Sequence, residues 1–361
     1  MVNLFYNYII MSSLVSLPYN TYPTKFKSNI LKEFSKILGK RFHKVIENIQ
    51  YEILEEFVNE TDALEYMGGE GVFLNSECAE YIKKIKYRTK IQFKYKTNTV
   101  EISVLTLNRE INYAKLTASM VKILTTLSIL GRKNMTIPIF FAVTPIKKNF
   151  SKRDTCIGNN ANTGATFHML DKPFKITIYR EEEYMKVMLH ELIHFLKLDF
   201  KNTPDIVDKM KKRLRLKTKD KYYNLFEAYT DFFAIVLNVC YNSFLVNKGV
   251  EELMGIEIEY MKSVANKILS LFGMTHVLHG NRKLNQTSNI MSYYILKLGC
   301  FLDIDYFLEN FMLGNVKWNK TNINKFYDSI IEQLEKYRFT PYNLNEQESL
   351  RMTLGDINIK F

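Results

Sequence analysis

The chain has 361 residues, 47% of them apolar and 24% charged, with a formal net charge of +12 and a pI near 9.2. That length and apolar content suffice for a sizeable core and exclude general disorder. No run reaches the roughly 18 unbroken apolar residues of a membrane span, and Cys78, Cys156, Cys240 and Cys300 form no C-x-x-C pair or dense disulfide framework.

The first eleven residues are apolar, but they lack a basic leading segment and are interrupted by Asn3 and Asn7, which argues against a signal peptide. A soluble, intracellular protein in a reducing compartment is the expectation. Frequent Asn, Lys, Ile, Tyr and Phe suit an AT-rich coding genome, such as that of a large DNA virus or a parasite. From Phe26 to Val58 apolar residues recur at helical spacing, among them Leu31, Leu38, Phe42, Val45, Ile53 and Leu54, and predict one helix. Gly68-Gly-Glu-Gly71 then breaks the chain. Residues 1–95 read as a helical N-terminal region. Its basic run from Lys83 to Lys96, like the later run from Lys209 to Lys221, has thin aromatic interleaving. Both read as solvated faces rather than a nucleic-acid interface.

Val100–Leu107 alternates, is rich in β-branched residues and predicts a strand. Asn108 is placed to cap an amphipathic helix running to Leu130, and Gly131 ends it. A second strand is expected over Thr136–Thr144, with Pro138 at its start or on an edge. The stretch from Phe150 to His168 is dense in turn formers, and Phe174–Tyr179 reads as a third strand. Glu181, Glu182 and Glu183 follow, placed for the first turn of the next helix, where its dipole favours negative charge.

That helix contains Val187-Met-Leu-His-Glu-Leu-Ile-His-Phe-Leu196, an H-E-x-x-H motif. Residues four apart share a helix face, so His190 and His194 can reach one zinc ion while Glu191 addresses a water beside it. Catalytic zinc usually takes three protein ligands and leaves one position open. The third candidate is Glu227, in Leu225-Phe-Glu-Ala-Tyr-Thr-Asp-Phe-Phe-Ala234. Asp231, one turn further on, can accept the remaining ring N–H of a ligand histidine, which fixes its tautomer. Val250–Phe272, Ser288–Leu302 and Ile323–Tyr337 read as further helices, making residues 201–361 a helical C-terminal subdomain that carries the third ligand.

H-E-x-x-H on one helix followed by E-x-x-x-D on a later one resembles the gluzincin metallopeptidases. The H-E-L-I-H string and the long interval between His194 and Glu227 are similar to those of the clostridial neurotoxin proteases. The resemblance spans roughly residues 98–235 and does not select a subfamily. It implies an α+β fold with a zincin-like core, a small twisted sheet plus the active-site helix over residues 96–200, and a cleft facing the helical subdomain. It implies Zn2+ as cofactor, a protein or peptide substrate, and Glu191 as general base. In such enzymes a sheet edge pairs with substrate backbone, which points to the stretch Asn160–Thr166, and within it to Asn160, Ala161, Asn162, Thr163 and Gly164 as substrate-binding residues. A Tyr or His from the helical half commonly supports the oxyanion, which makes Tyr293, Tyr294 and His279 candidates. Endopeptidase activity is the leading expectation. A narrow carboxypeptidase trimming a protein tail, and a non-catalytic basic scaffold that merely binds zinc, are the alternatives.

Overall fold

The computed structural model describes residues 26–58, 60–69, 74–151, 156–157, 160–170, 172–214, 222–274, 285–345 and 347–354. It is a mixed α+β protein built on a six-stranded sheet. The helix expected from Phe26 to Val58 divides in two. Helix α1, Ile30–Asn48, buries Leu31, Leu38, Phe42 and Val45, and the chain then enters strand β1, Gln50–Phe57. The apolar residues of β1 find cross-strand partners instead of a helix face: Ile53 lies opposite Ile91, and Tyr51 stacks on Phe93 at 5.9 Å. Short helices α2, Glu60–Tyr66, and α3, Ser76–Ile82, lead into β2, Tyr87–Tyr95. Two strands of the sheet therefore fall inside the region expected to be helical. In β2 buried Ile91, Phe93 and Tyr95 alternate with Lys90, Gln92 and Lys94, so the residues read as a basic run are one face of a strand.

Strand β3, Asn98–Thr106, is where Val100–Leu107 predicts it, and β4, Thr136–Ala142, matches the second expected strand. Between them α4, Tyr113–Ile129, is capped by Asn112, whose side chain accepts the Lys115 N–H at 3.0 Å, rather than by Asn108. Asn108 instead accepts the Glu110 N–H in the preceding turn. Strands β5, Asn149–Ser151, and β6, Cys156–Ile157, are short and lie outside the main sheet. Strands β7, Gly164–Met169, and β8, Lys172–Ile178, complete it in the order β1-β2-β3-β4-β8-β7. Neighbours β3, β4 and β8 run parallel, whereas β7 returns antiparallel and forms one edge.

Helix α5, Tyr184–Phe195, carries the H-E-x-x-H motif and packs on β7 and β8. Its first turn holds no acidic residue, because Glu181–Glu183 precede it and Glu183 adopts a left-handed conformation at φ 62°. The buried Glu183 carboxylate is instead held by the Lys148 ammonium at 2.6 Å. Helices α6, Pro204–Leu214, α7, Leu225–Val246, and α8, Val250–Leu271, follow. Helix α7 is the one described helix long and apolar enough to cross a membrane, but 89% of that window is buried within the protein. It is a core helix, apolar around most of its circumference because neighbours cover it on most sides.

After β9, Asn285–Gln286, comes a π-helical turn, Met291–Leu296, that runs directly into α9, Lys297–Leu302. Helices α10, Ile304–Phe311, and α11, Lys320–Lys336, close the helical half. Aromatic rings from three helices and two connecting segments, Phe200, Tyr229, Phe311, Trp318 and Phe326, pack tilted, edge-on and stacked between α7 and α11. Finally β10, Gln347–Ser349, pairs with β5, returning the chain to the neighbourhood of α5.

Candidate metal centre

Helices α5 and α7 pack face to face, and each presents to the other the polar residues of an otherwise apolar surface. The result is a tight triangle. His190 Nε2 lies 3.1 Å from His194 Nε2 and 3.2 Å from Glu227 Oε2, and His194 Nε2 lies 3.3 Å from the same carboxylate oxygen. Ligands about 2.1 Å from a tetrahedral zinc are about 3.4 Å apart. A triangle of the observed size therefore leaves a point about 1 Å above its plane at zinc-ligand distance from all three atoms. The group is the one described cluster of three His, Cys, Asp or Glu side chains with converging ligand atoms.

Both imidazoles are oriented from behind. His190 Nδ1 is 3.1 Å from Asp231 Oδ1, and His194 Nδ1 is 2.7 Å from Asp199 Oδ2. With Nδ1–H donated to a carboxylate, the Nε2 lone pair of each ring points into the triangle. Asp231 is fully buried and is itself clamped, its Oδ1 by Lys186 Nζ at 2.5 Å and its Oδ2 by Lys297 Nζ at 2.6 Å. Burial opposes its charge, but the two ammonium groups and His190 hold its pKa well below the ordinary carboxylate range.

The three side chains of the triangle show the pull of one another. Burial works against a charged imidazole at His194, yet Glu227 and Asp199 raise its pKa well above the ordinary value. Burial likewise lowers His190, and its bonds to Asp231 and Glu227 more than compensate. Burial pushes Glu227 up, but His194 and His190 bring it down to about 2. A carboxylate so deep in the protein and so readily ionised is suited to hold a cation. Its other oxygen, Oε1, accepts from Asn289 Nδ2 at 3.2 Å, and Asn289 is in turn fixed by Asn224 Nδ2 at 3.0 Å.

Glu191 is buried, and its Oε2 accepts from Thr166 Oγ1 at 2.8 Å; the same hydroxyl reaches the Glu191 carbonyl oxygen at 2.9 Å. Thr166 lies on β7, so this contact ties Glu191 to the edge strand. The other side of β7 pairs with no strand among the described residues. Its entry is shaped by Gly164, where a Cβ would come within 2.7 Å of Ile178 Cδ1 and of the Thr177 carbonyl oxygen and 3.0 Å of Val187 Cγ1. Only a residue without a side chain lets the strand run this close to α5.

Of the residues expected to bind substrate, Ala161, Asn162, Thr163 and Gly164 line a small pocket together with His190, Glu191 and Tyr293. Ala161, Asn162 and Thr163 are buried, and the backbone carbonyls of Asn162 and Thr163 accept from Arg180 Nε and Tyr179 N. They support the edge rather than form it. The strand edge runs from Gly164 to Met169, so the stretch Asn160–Thr166 expected to form it divides: Gly164 to Thr166 lie on the edge, whereas Asn162 and Thr163 are held inward by Arg180 and Tyr179. The two tyrosines part company. Tyr293 faces the site, its ring centroid 6.0 Å from that of His190. Burial, and then Glu227, keep its phenol protonated well above the ordinary range. The Tyr294 hydroxyl points the other way and donates to the Leu350 carbonyl oxygen at 2.5 Å, so it cannot serve an oxyanion at the triangle. His279 lies outside the described residues.

Asp199, Asn289, Lys186 and Lys297 are absent from the sequence reading, and Thr166 enters it as part of the edge and not as a partner of Glu191. Asp199 left a trace: each ligand histidine needs an acceptor, and Asp231 can supply only one. The others depend on contacts across the fold and left none.

No known family profile matches the chain, and no solved structure matches it. An uncharacterized protein of Acanthamoeba polyphaga mimivirus is 29% identical over 205 residues. That match covers 51% of this chain and 51% of the viral protein, so the likeness spans about half the length of each.

Proposed function

We propose that the chain is a zinc-dependent metallopeptidase of gluzincin type with a zincin-like core. The observation that carries this reading is the 3.1 to 3.3 Å triangle of His190, His194 and Glu227 beside Glu191 and an unpaired strand edge. A metal-binding scaffold needs the triangle but has no use for an adjacent carboxylate or for an open edge. A zinc ion held by these three residues supplies Lewis-acid polarisation and an acidified water.

The chain's own residues do the rest. An extended substrate pairs with β7, which holds its backbone largely irrespective of sequence. Glu191, aligned by Thr166, takes the proton of the attacking water and passes it to the leaving amine. Tyr293, kept protonated by burial and by Glu227, donates to the oxyanion that develops on the scissile carbonyl. Asp231 and Asp199 keep both imidazoles in the tautomer the ligand set requires.

The test is Glu191→Gln. Zinc content should stay at one equivalent while hydrolysis of a peptide library falls by at least about 10³-fold. Undiminished turnover removes the mechanism. Glu227→Ala should instead strip the metal, and full zinc occupancy in that variant removes Glu227 as ligand.

A further inference from the structure

Beside the metal triangle lies a cavity of about 30 Å³ whose lining includes Ala161, Thr163, Val187, His190, Glu191 and Met352. Of the three triangle residues only His190 reaches it, so this space is separate from the position that a metal and its water would take. Three properties of the cavity define what fits it.

The first is size. Such a volume takes about two waters, or one methyl or hydroxymethyl group, and no longer side chain. The walls are set by packing: Ala161, Val187 and Met352 are all buried, and the Met352 N–H donates to Glu183 Oε1 at 2.5 Å. The second is charge. Two carboxylates, Glu191 and Asp231, and two ammonium groups, Lys148 and Lys186, border the space. The lining is electrically balanced, so a charged side chain of either sign would shed its hydration and meet as much repulsion as attraction. The third is polarity. Thr163 is 3% exposed, and its Oγ1 has no hydrogen-bond partner among the described residues. The large majority of buried polar side-chain atoms have a partner, so this hydroxyl calls for an occupant that can hydrogen-bond.

We infer that the cavity is a subsite for a small, uncharged, hydroxyl-bearing side chain, that of serine, next to the scissile bond. Thr163 is its hydrogen-bond partner, and Met352 is the wall that limits its length. The inference rests on the peptidase reading and adds a substrate class to it. An extended substrate on β7 presents alternate side chains to one face, and the cavity is bordered both by Gly164, at the start of β7, and by Glu191. A residue beside the bond that Glu191 serves therefore has its side chain at the mouth of the cavity. Glycine and alanine fit without the hydrogen bond, whereas valine and leucine exceed the volume.

A peptide library carrying Gly, Ala, Ser, Val, Leu, Asp and Lys in equal amounts at each position tests this. Cleavage by the zinc-loaded wild type is read by mass spectrometry, and retention is read on immobilised zinc-loaded Glu191→Gln protein. Cleavage next to serine should exceed that next to alanine by at least about fivefold, and that next to valine, leucine, aspartate or lysine by at least about 50-fold. Thr163→Val should bring serine and alanine level while still excluding leucine, with no fall in thermal midpoint, because the hydroxyl it removes has no partner among the described residues. Met352→Ala should admit leucine, raising its cleavage relative to alanine at least about tenfold; should that variant not fold, Thr163→Val carries the test. Equal handling of small and large residues, or a serine preference unchanged in Thr163→Val, overturns the subsite and leaves a cavity for water only, while the cleavage itself keeps the peptidase reading. If no peptide is cleaved but the retained pool is rich in serine, the peptidase reading fails and the subsite stands. No cleavage together with an unselective pool overturns both.

Discussion

The two sides of the metal triangle are built differently. Behind His190 the wall is wholly buried and ionic: Asp231 is gripped by Lys186 and Lys297, and Glu183 holds Lys148 and the Met352 and Thr353 N–H groups. In front, the supports are single and partly exposed. Asp199 is 17% exposed at its side chain, Thr166 is half-buried on the edge strand, and Tyr293 rises from a π-helical turn. On the inner wall the carboxylates of Asp231 and Glu183 each hold several partners, whereas on the outer side Asp199 holds His194 and Thr166 holds Glu191. On the proposed peptidase reading a metal must stay still while a substrate enters and leaves, and the asymmetry divides these demands between the two sides. Irregular π-helical turns recur at functional sites, and here one sets Tyr293 toward the triangle while Tyr294 faces the C-terminal segment.

If that division is right, the largest effect belongs to the inner wall. Asp231→Ala leaves two ammonium groups buried without their shared anion, a loss of about 3–5 kcal/mol. The variant should unfold at markedly lower urea concentration even with zinc absent. A variant that loses zinc affinity but no stability would show that Asp231 serves His190 alone. The outer wall should behave in the opposite way. Tyr293→Phe should lower kcat by about 10²-fold or more, with little change in KM or thermal midpoint. Tyr294→Phe should cost about 1 kcal/mol of stability and leave kcat within a factor of two or so. Equal kinetic effects at the two positions would erase the distinction drawn from their hydroxyls.

Asp199→Asn comes next. Removing the acceptor behind a ligand histidine typically lowers metal affinity by about 10–100-fold. A competition titration with a chelator should find that loss, while the unfolding midpoint of the zinc-free protein moves little, because Asp199 is partly solvated and pairs only with His194 among the described contacts. A stability loss as large as that of Asp231→Ala would mean the two sides are alike.

The unequal legibility of the two sides follows from range. His190, Glu191, His194, Glu227 and Asp231 sit at fixed spacing on two helices, and helical periodicity is a local property that sequence carries directly. Lys186 shares α5 with the histidines but reads as an ordinary polar residue until α7 and α9 close over it. Asn289 and Thr166 are worse cases, since each reaches its carboxylate from a different element. The same limit explains β1. Ile53 and Leu54 continue the apolar spacing of α1, and only the pairing with β2, set some 35 residues later in the chain, decides that they are extended. The C-terminal strand β10 and the contacts of Leu350 to Leu354 with Glu183, Glu257 and Tyr294 were invisible for that reason too.

The smallest expected effect tests whether the inner wall reaches as far as α8. Glu257 is buried there, and its carboxylate accepts the Leu354 N–H at 3.1 Å. Burial, outweighing its bond to Thr353 and the attraction of Lys297, raises its pKa to about 7. A carboxyl whose pKa is higher folded than unfolded binds more protons in the native state between those values. Its contribution is therefore present below about pH 4.5 and is lost as pH rises toward 7. The full shift corresponds to no more than about 3 kcal/mol, and relaxation or water entry would reduce it to about 1 kcal/mol. Glu257→Gln keeps the acceptor without the charge, so its urea midpoint should fall less than that of the wild type between pH 5 and pH 8. Parallel curves for the two proteins would mean that Glu257 is ionised throughout, and that the buried wall ends at Asp231 and Lys297.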